Sequence, residues 1–303
     1  MNMFKCKKIV LYLFVFSVFI LIISILFIYY TITHRTKGEY FDLEGIKIHY
    51  TDEGHGEPII LIHGFAVNAD LNWRRPGIID SLKPNFRIIA VDLRGHGLSS
   101  KPHTSDEYGI KMVKDIINLM DYIKIDKAHI VGYSLGGFIA IKLTTLYPDR
   151  VISLSPLGSG WELPEQNHFF SAIDKLIKKL ENNSGIEPVS THLDTSRRKP
   201  GIVHSLWVKI LTRFFNDPKA LIDVLKGVPE LKVNEDEIKK INIPTCMVVG
   251  EHDPLRKGAE NLKNVLPQSE LTIIKGKDHI TAPLSSQFKE TLKLFLLKHS
   301  TNP

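Results

Sequence analysis

Short apolar runs recur along most of this 303-residue chain, separated by stretches whose apolar positions repeat every three or four residues. PIILIH (58–63), FRIIAVD (86–92), KAHIVG (127–132), RVISLSPL (150–157), TCMVVG (245–250) and ELTIIKG (270–276) are short and apolar on both alternating positions. They read as strands buried on both faces. EYFDL (39–43) and IKIHYTDEG (46–54), joined by Glu44-Gly45, pair as a hairpin at one sheet edge. Stretches near 109–124, 135–147, 257–265 and 284–299 predict helices, several of them ended by Pro or Gly. Alternation of this kind predicts an α/β fold: a mostly parallel eight-stranded sheet with helices on both faces.

The alternation breaks between Trp161 and about Lys240. ENNSGIEPVSTHLDTSRRKPG reads as loop, and its flanks read as amphipathic helices. One carries Phe169, Phe170, Ile173, Leu176, Ile177 and Leu180; the other carries Leu206, Trp207, Ile210, Leu211, Phe214 and Phe215. An insertion at about 161–240, on the carboxyl side of the strands, is where a helical lid over a ligand crevice sits. Most of these stripe positions are expected to pack against the protein rather than against a ligand.

From Ile9 to Tyr30 the chain has 22 residues without a charge. As a helix rising ~1.5 Å per residue these span the ~30 Å hydrocarbon layer of a bilayer. No small-x-small pair follows, so the run predicts an uncleaved transmembrane anchor (9–30) rather than a signal peptide. A basic segment (1–8) precedes it, and a polar connector (31–39) leads to the α/β domain, 40–303. Lys5, Lys7 and Lys8 outweigh Arg35 and Lys37 beyond the run. That bias predicts a single-pass membrane protein with a cytoplasmic amino terminus and its domain on the extracytoplasmic side.

Composition narrows the class further. With 43% hydrophobic and 24% charged residues, 20 Gly and 16 Pro, collagen-like, disulfide-knot and wholly disordered chains are excluded. Without Lys5, Lys7 and Lys8 the 39 bases fall to 36 against 33 acids, a net charge of +3. No dense Lys/Arg block follows, so no nucleic-acid partner is expected. Cys6 and Cys246 fall on either side of the predicted anchor, and no intrachain disulfide is expected. Nor does any Cys/His/Asp/Glu cluster have metal-ligand spacing.

The sharpest local pattern is Gly132-Tyr133-Ser134-Leu135-Gly136-Gly137, a G-x-S-x-G motif between a predicted strand and a predicted helix. A serine on so tight a turn needs small neighbours, which Gly132 and Gly136 provide. The helix that follows aims the amide of Leu135 at charge developing on a bound carbonyl oxygen. Serine is a weak nucleophile without a base, and the base needs an orienting group. His279, in GKDHITAP, follows the last predicted strand; Asp253, in GEHDPL, follows the one before it. All three side chains therefore lie at carboxyl ends of strands, the rim where open α/β sheets hold ligands.

With its motifs in this order, the chain resembles the α/β-hydrolase fold family, in the bacterial serine esterase-like branch with a helical lid. The resemblance rests on His63-Gly64-Phe65, on Asp92-Leu93-Arg94-Gly95-His96-Gly97-Leu98-Ser99, on the serine turn, on GEHDPL and on GKDH. It implies a catalytic triad of Ser134, Asp253 and His279, a second oxyanion amide from Phe65 beside that of Leu135, and no cofactor. His63, Gly64, Gly132 and Gly136 support these turns. It also implies that Asp92 contacts Arg94 to hold its loop. The expected activity is hydrolysis of a small-molecule carboxylic ester, with a lipophilic one suggested by the anchor and the lid. Two alternatives stand. One is carbon–carbon bond hydrolysis of a dienoic ketoacid, since Asn72-Trp73 in HGFAVNADLNW is similar to that subgroup although its H-G-x-G-P-G form is missing. The other is a non-catalytic binding protein on the same fold.

Overall fold

The computed structural model describes residues 12–24, 35–161, 168–182 and 216–301. The chain divides into two units, Met1–Thr36 and Lys37–Pro303. In the first, residues 12–24 are helical. Among the described residues no helix is long and apolar enough to cross a membrane. The predicted anchor at 9–30 is corrected accordingly, and with it go the single-pass topology, the extracytoplasmic placement and the membrane partner. Residues 9–11 and 25–30 lie outside the described residues.

In the second unit the apolar runs form β1 (Glu39–Leu43), β2 (Ile46–Gly54), β3 (Glu57–Ile62), β4 (Phe86–Val91), β5 (Ala128–Tyr133), β6 (Val151–Leu157), β7 (Cys246–Gly250) and β8 (Glu270–Ile274). The β1–β2 turn places Glu44 and Gly45 both at positive φ, the two-residue hairpin geometry that follows the strands' own twist. These strands do not make the one eight-stranded sheet that the sequence predicts. β1 to β6 form a mixed six-stranded sheet in the order β1-β2-β4-β3-β5-β6, and β7 and β8 form a separate parallel pair. The β1–β2 and β2–β4 pairings are antiparallel, and the other pairings are parallel.

The break has a local cause. Leu154 N–H donates to Pro244 O and Gly158 N–H to Val248 O, each at 2.9 Å. Pro156 occupies the ladder position between them and has no N–H to give. Strand pairing between β6 and β7 is reduced to the Leu154–Thr245 bridge, with the Gly158–Val248 bond beyond Pro156.

Helices cover both faces. α1 (Ile78–Leu82) and α8 (Ser286–Lys298) close one side, where Phe288, Leu292, Phe295 and Leu296 pack on Ile59, Leu61, Val131 and Val248. On the other lie α2 (Ile110–Tyr122), α3 (Leu135–Leu146) and α7 (Arg256–Val265), around Ile60, Ile62, Ile130 and Leu154.

Within the insertion the described helices are α4 (His168–Glu181), α5 (Pro218–Gly227) and α6 (Glu235–Lys239). Ile173 and Leu180 of α4 are buried, with Leu176 and Ile177 packed beside them. The helix predicted around Leu206–Phe215 lies outside the described residues. α5 starts cleanly because Asp217 accepts from the amides of Lys219 and Ala220 and Pro218 occupies the first turn. Its Val224 packs against Gly95 in the turn after β4.

Candidate active site

β5 runs directly into Ser134, and α3 begins at the next residue. Ser134 has φ 54° and ψ −115°, a conformation that costs a non-glycine residue about 1–3 kcal/mol. Neighbouring bonds hold it there. Its N–H donates to Leu157 O at 2.9 Å, and its carbonyl accepts from Gly137 and Phe138 at 2.9 and 3.2 Å. A Cβ on Gly132 would overlap the Gly136 carbonyl, and one on Gly136 would overlap the carbonyl of Ile62 at the end of β3. The motif glycines thus serve close backbone approach. The Ser134 side chain is half-buried and does not cap α3. Leu135 is the first residue of α3, so its amide has no intrahelical acceptor.

The turn after β3 lies against this one: a Cβ on Gly64 would stand 3.3 Å from that of Ser134. Three bonds fix it. Leu93 N–H donates to His63 Nε2 at 3.0 Å, which puts the imidazole proton on Nδ1, and that proton goes to Gly64 O at 2.7 Å. Gly64 N–H in turn donates to Asn72 Oδ1 at 2.9 Å. Asn72 is presented by a one-turn π-helix, Asp70–Arg74. Burial pushes the His63 pKa down, against the pull of Asp92 and the Gly64 carbonyl, and keeps the ring neutral. Phe65 is partly buried, its ring edge-on to His96 at 5.8 Å. Ala66, next in the chain, is also at positive φ, 58°.

Asp92 does not reach Arg94, so the expected contact between them is corrected. Its carboxylate accepts from Ala69 N–H and Leu98 N–H at 2.9 Å each and from His49 Nδ1 at 3.0 Å. Burial alone would raise its pKa; the His49 bond, the nearby His63 and the two amides outweigh that and hold it well below the usual carboxylate range. Arg94 turns the other way. It grips Asp115 of α2 with two bonds, 2.6 and 2.5 Å, and donates to the Glu107 carbonyl at 2.6 Å.

Asp253 and His279 meet. The Nδ1–H of His279 donates to Asp253 Oδ2 at 2.8 Å, and both residues are 4% exposed. The other carboxylate oxygen accepts from Leu255 N–H at 2.8 Å. Neighbouring acids face elsewhere. Asp278 accepts from the amides of Ile280 and Thr281 at 3.0 and 2.8 Å and from the Thr281 hydroxyl, while Glu251 accepts from Gly276 N–H at 2.7 Å. The side chain of His252 is exposed. Ser134 and His279 are not hydrogen-bonded to each other among the described residues. What joins their turns is Tyr133, whose hydroxyl donates to the carbonyl of His279 and whose ring lies 5.1 Å from the imidazole. His49, Asp115 and Tyr133 are site residues that sequence reasoning does not single out, and Asn72 enters there only through its similarity to a subgroup pattern. Their partners stand about 8 to 146 positions away; of the first three only Asp115, an acid on the buried face of an apolar helix, leaves a local signal.

Residues 57–283 match the family model described as alpha/beta hydrolase fold. Lipase 3 of Moraxella sp. (strain TA144) is 29% identical over 261 residues, 82% of this chain and 79% of that protein. The 2-hydroxy-6-oxo-6-(2'-aminophenyl)hexa-2,4-dienoic acid hydrolase of Metapseudomonas resinovorans is 29% identical over 231 residues, 69% of this chain and 72% of that one. One further relative is matched over only 33% of its own length. Among solved structures, Est816, described as an N-acyl homoserine lactone degrading enzyme, is 28% identical with a TM-score of 0.64, covering 85% of this chain and 100% of that one. The matched span opens at the first residue of β3 and closes beyond His279, so it takes in every turn that builds the site, and the chain belongs to the α/β-hydrolase fold family.

Proposed function

We propose that the protein is a serine hydrolase of carboxylic esters that works through an acyl-enzyme on Ser134. The observation that carries this is the backbone of Ser134: a non-glycine residue held at φ 54° between a strand and a helix, in a cradle of glycines. Such strain is kept where a side chain must stand free of its own helix. Ser134 Oγ attacks the ester carbonyl, and its proton passes to Nε2 of His279, the nitrogen left with a lone pair because Nδ1–H is given to Asp253. Amides of Phe65 and Leu135 stabilise the oxyanion, each donor contributing about 3–4 kcal/mol in systems of this type. His279 returns the proton to the leaving alcohol. Water, deprotonated by the same imidazole, then releases the acid and restores Ser134. Similarity to Lipase 3 and to a lactone-degrading enzyme supports an ester as substrate.

The test uses the full chain on p-nitrophenyl esters from acetate to palmitate, beside Ser134→Ala. Wild-type turnover with a loss of at least about 10⁴-fold in the variant is expected; an equally active variant would refute the serine mechanism. Two observations favour a second reading, carbon–carbon hydrolysis at the same serine: the Asn72 side chain on Gly64 and the similarity to the dienoic acid hydrolase. No ester turnover together with cleavage of a dienoic ketoacid would decide for it.

A further inference from the structure

We propose that Tyr133 is a positioning residue that sets the place of His279 relative to Ser134, through the hydrogen bond from its hydroxyl to the His279 carbonyl. The proposal rests on the serine-hydrolase reading above. Its physical basis is the broken sheet. Ser134 follows a strand of the six-stranded sheet, whereas Asp253 and His279 follow the two strands of the separate pair. Between the two sheets the ladder is interrupted at Pro156. The backbone bonds that cross there, Leu154 to Pro244 and Gly158 to Val248, involve no residue of the serine or histidine turn, so a direct tie between the two turns adds a constraint that strand pairing does not supply.

Tyr133 supplies that tie from the residue next to the nucleophile. Its ring is fixed on several sides: by the imidazole at 5.1 Å, Phe288 at 6.1 Å and Trp73 at 6.4 Å. Gly158, at φ 50°, leaves room for it, since a Cβ there would run into the ring. The hydroxyl is a permanent donor: burial, then the nearby Asp253 and Asp278, push its pKa well above the tyrosine range. It grips the histidine by its own carbonyl, so any drift of that loop carries the imidazole with it. A displacement of about 1 Å in such a group costs on the order of 10²-fold in rate.

The test is phosphonylation of the full chain by an alkyl fluorophosphonate, in which the Ser134 Oγ–P bond forms, fluoride leaves and the hydroxyl proton passes to His279. Wild type, Ser134→Ala and Tyr133→Phe are compared below the melting temperature of each. Tyr133→Phe is expected to label about 10–100-fold more slowly at an unchanged half-saturating probe concentration. The far-downfield proton resonance of His279 Nδ1–H should broaden or shift, while the melt stays cooperative. Gly158→Ala, which displaces the ring without removing the hydroxyl, should slow labelling in the same way if Tyr133→Phe does not fold. Labelling of Tyr133→Phe within twofold of wild type, or slowed only in proportion to its unfolded fraction, would overturn the proposal and leave the serine mechanism standing. Labelling of Ser134→Ala at the wild-type rate, or none of wild type, would instead overturn the serine mechanism and this proposal with it.

Discussion

Replacing Asp253 by Asn asks whether the carboxylate dictates which nitrogen of His279 carries the proton. Asp253 spends one oxygen on Leu255 N–H and the other on His279 Nδ1–H, each at 2.8 Å. An amide has only one oxygen for two donors. Leu255 N–H is backbone and cannot turn away, so it claims that oxygen; leaving such a buried donor unmade costs about 1–3 kcal/mol. The NH₂ then faces Nδ1, which must become an acceptor, and the imidazole proton moves to Nε2. A protonated Nε2 cannot take the serine proton. By the same 1–3 kcal/mol, the productive orientation is left about 5- to 150-fold less populated. Loss of the charge that stabilises the imidazolium adds to this, and the total expected is about 10⁴-fold in kcat, or ~5.4 kcal/mol. The assay is steady-state ester hydrolysis with a thermal melt beside it. KM should change by a few-fold at most and the melt by a few degrees, because the shape of the side chain is kept. Asp253→Ala is the control: it frees the imidazole from the wrong tautomer, so it should be at least as active as the Asn variant although less stable. An Asn variant within tenfold of wild type, or far more active than Ala, would refute the tautomer argument.

Arg94→Met leaves Asp115 buried without its partner and should cost about 3–5 kcal/mol in urea unfolding; the pair's side chains are 3 and 2% exposed. Adding Asp115→Leu should recover most of that, and a double variant no more stable than the single would count against a buried charge as the cause. Acid should also weaken the fold. Burial lowers the pKa of both His63 and His96, the latter to about 3, with His63 adding to the effect on His96. Below about pH 6.5 the unfolded chain binds protons that the folded one refuses, so stability falls as pH drops, by up to ~1.4 kcal/mol per unit for each histidine. For His96 this continues to its folded value. Asp92, held low in the fold, is lost in the same direction below about pH 4. Urea midpoints at pH 7.5 and 5.5 measure the slope; His96→Gln should flatten it, and an unchanged slope would exclude His96 as a source.

What the sequence made legible was local. Each strand lies within two residues of its apolar run; β5 and β7 are buried throughout, and there consecutive apolar side chains are signal enough. The pairing of strands is a property of partners, and there the reading failed at Pro156. Its position in RVISLSPL was visible, but which neighbour its missing N–H would face was not. The Asp92–Arg94 expectation failed for a related reason. Residues two apart in a turn point to different surroundings, and each found its partner on another element. At the amino terminus the apolar run predicts a spanning helix, whereas among the described residues no helix is long and apolar enough to cross a membrane.

The same division runs through the site. Small residues announce where backbone must come close, so the serine turn was readable from Gly132 and Gly136. They permit the strained turn without enforcing it. Enforcement comes from bonds that converge from far along the chain: Leu157 on Ser134, Asn72 on Gly64, Leu93 on His63, Tyr133 on His279. Two non-glycine residues at positive φ, Ser134 and Ala66, flank the point where the serine turn and the His63-Gly64 turn touch. At about 1–3 kcal/mol each, their strain is a sizeable part of the 5–15 kcal/mol that holds a typical domain together. A site built this way depends most on residues that do no chemistry. Substitutions at Asn72 or Tyr133 are therefore expected to cost activity before they cost the fold.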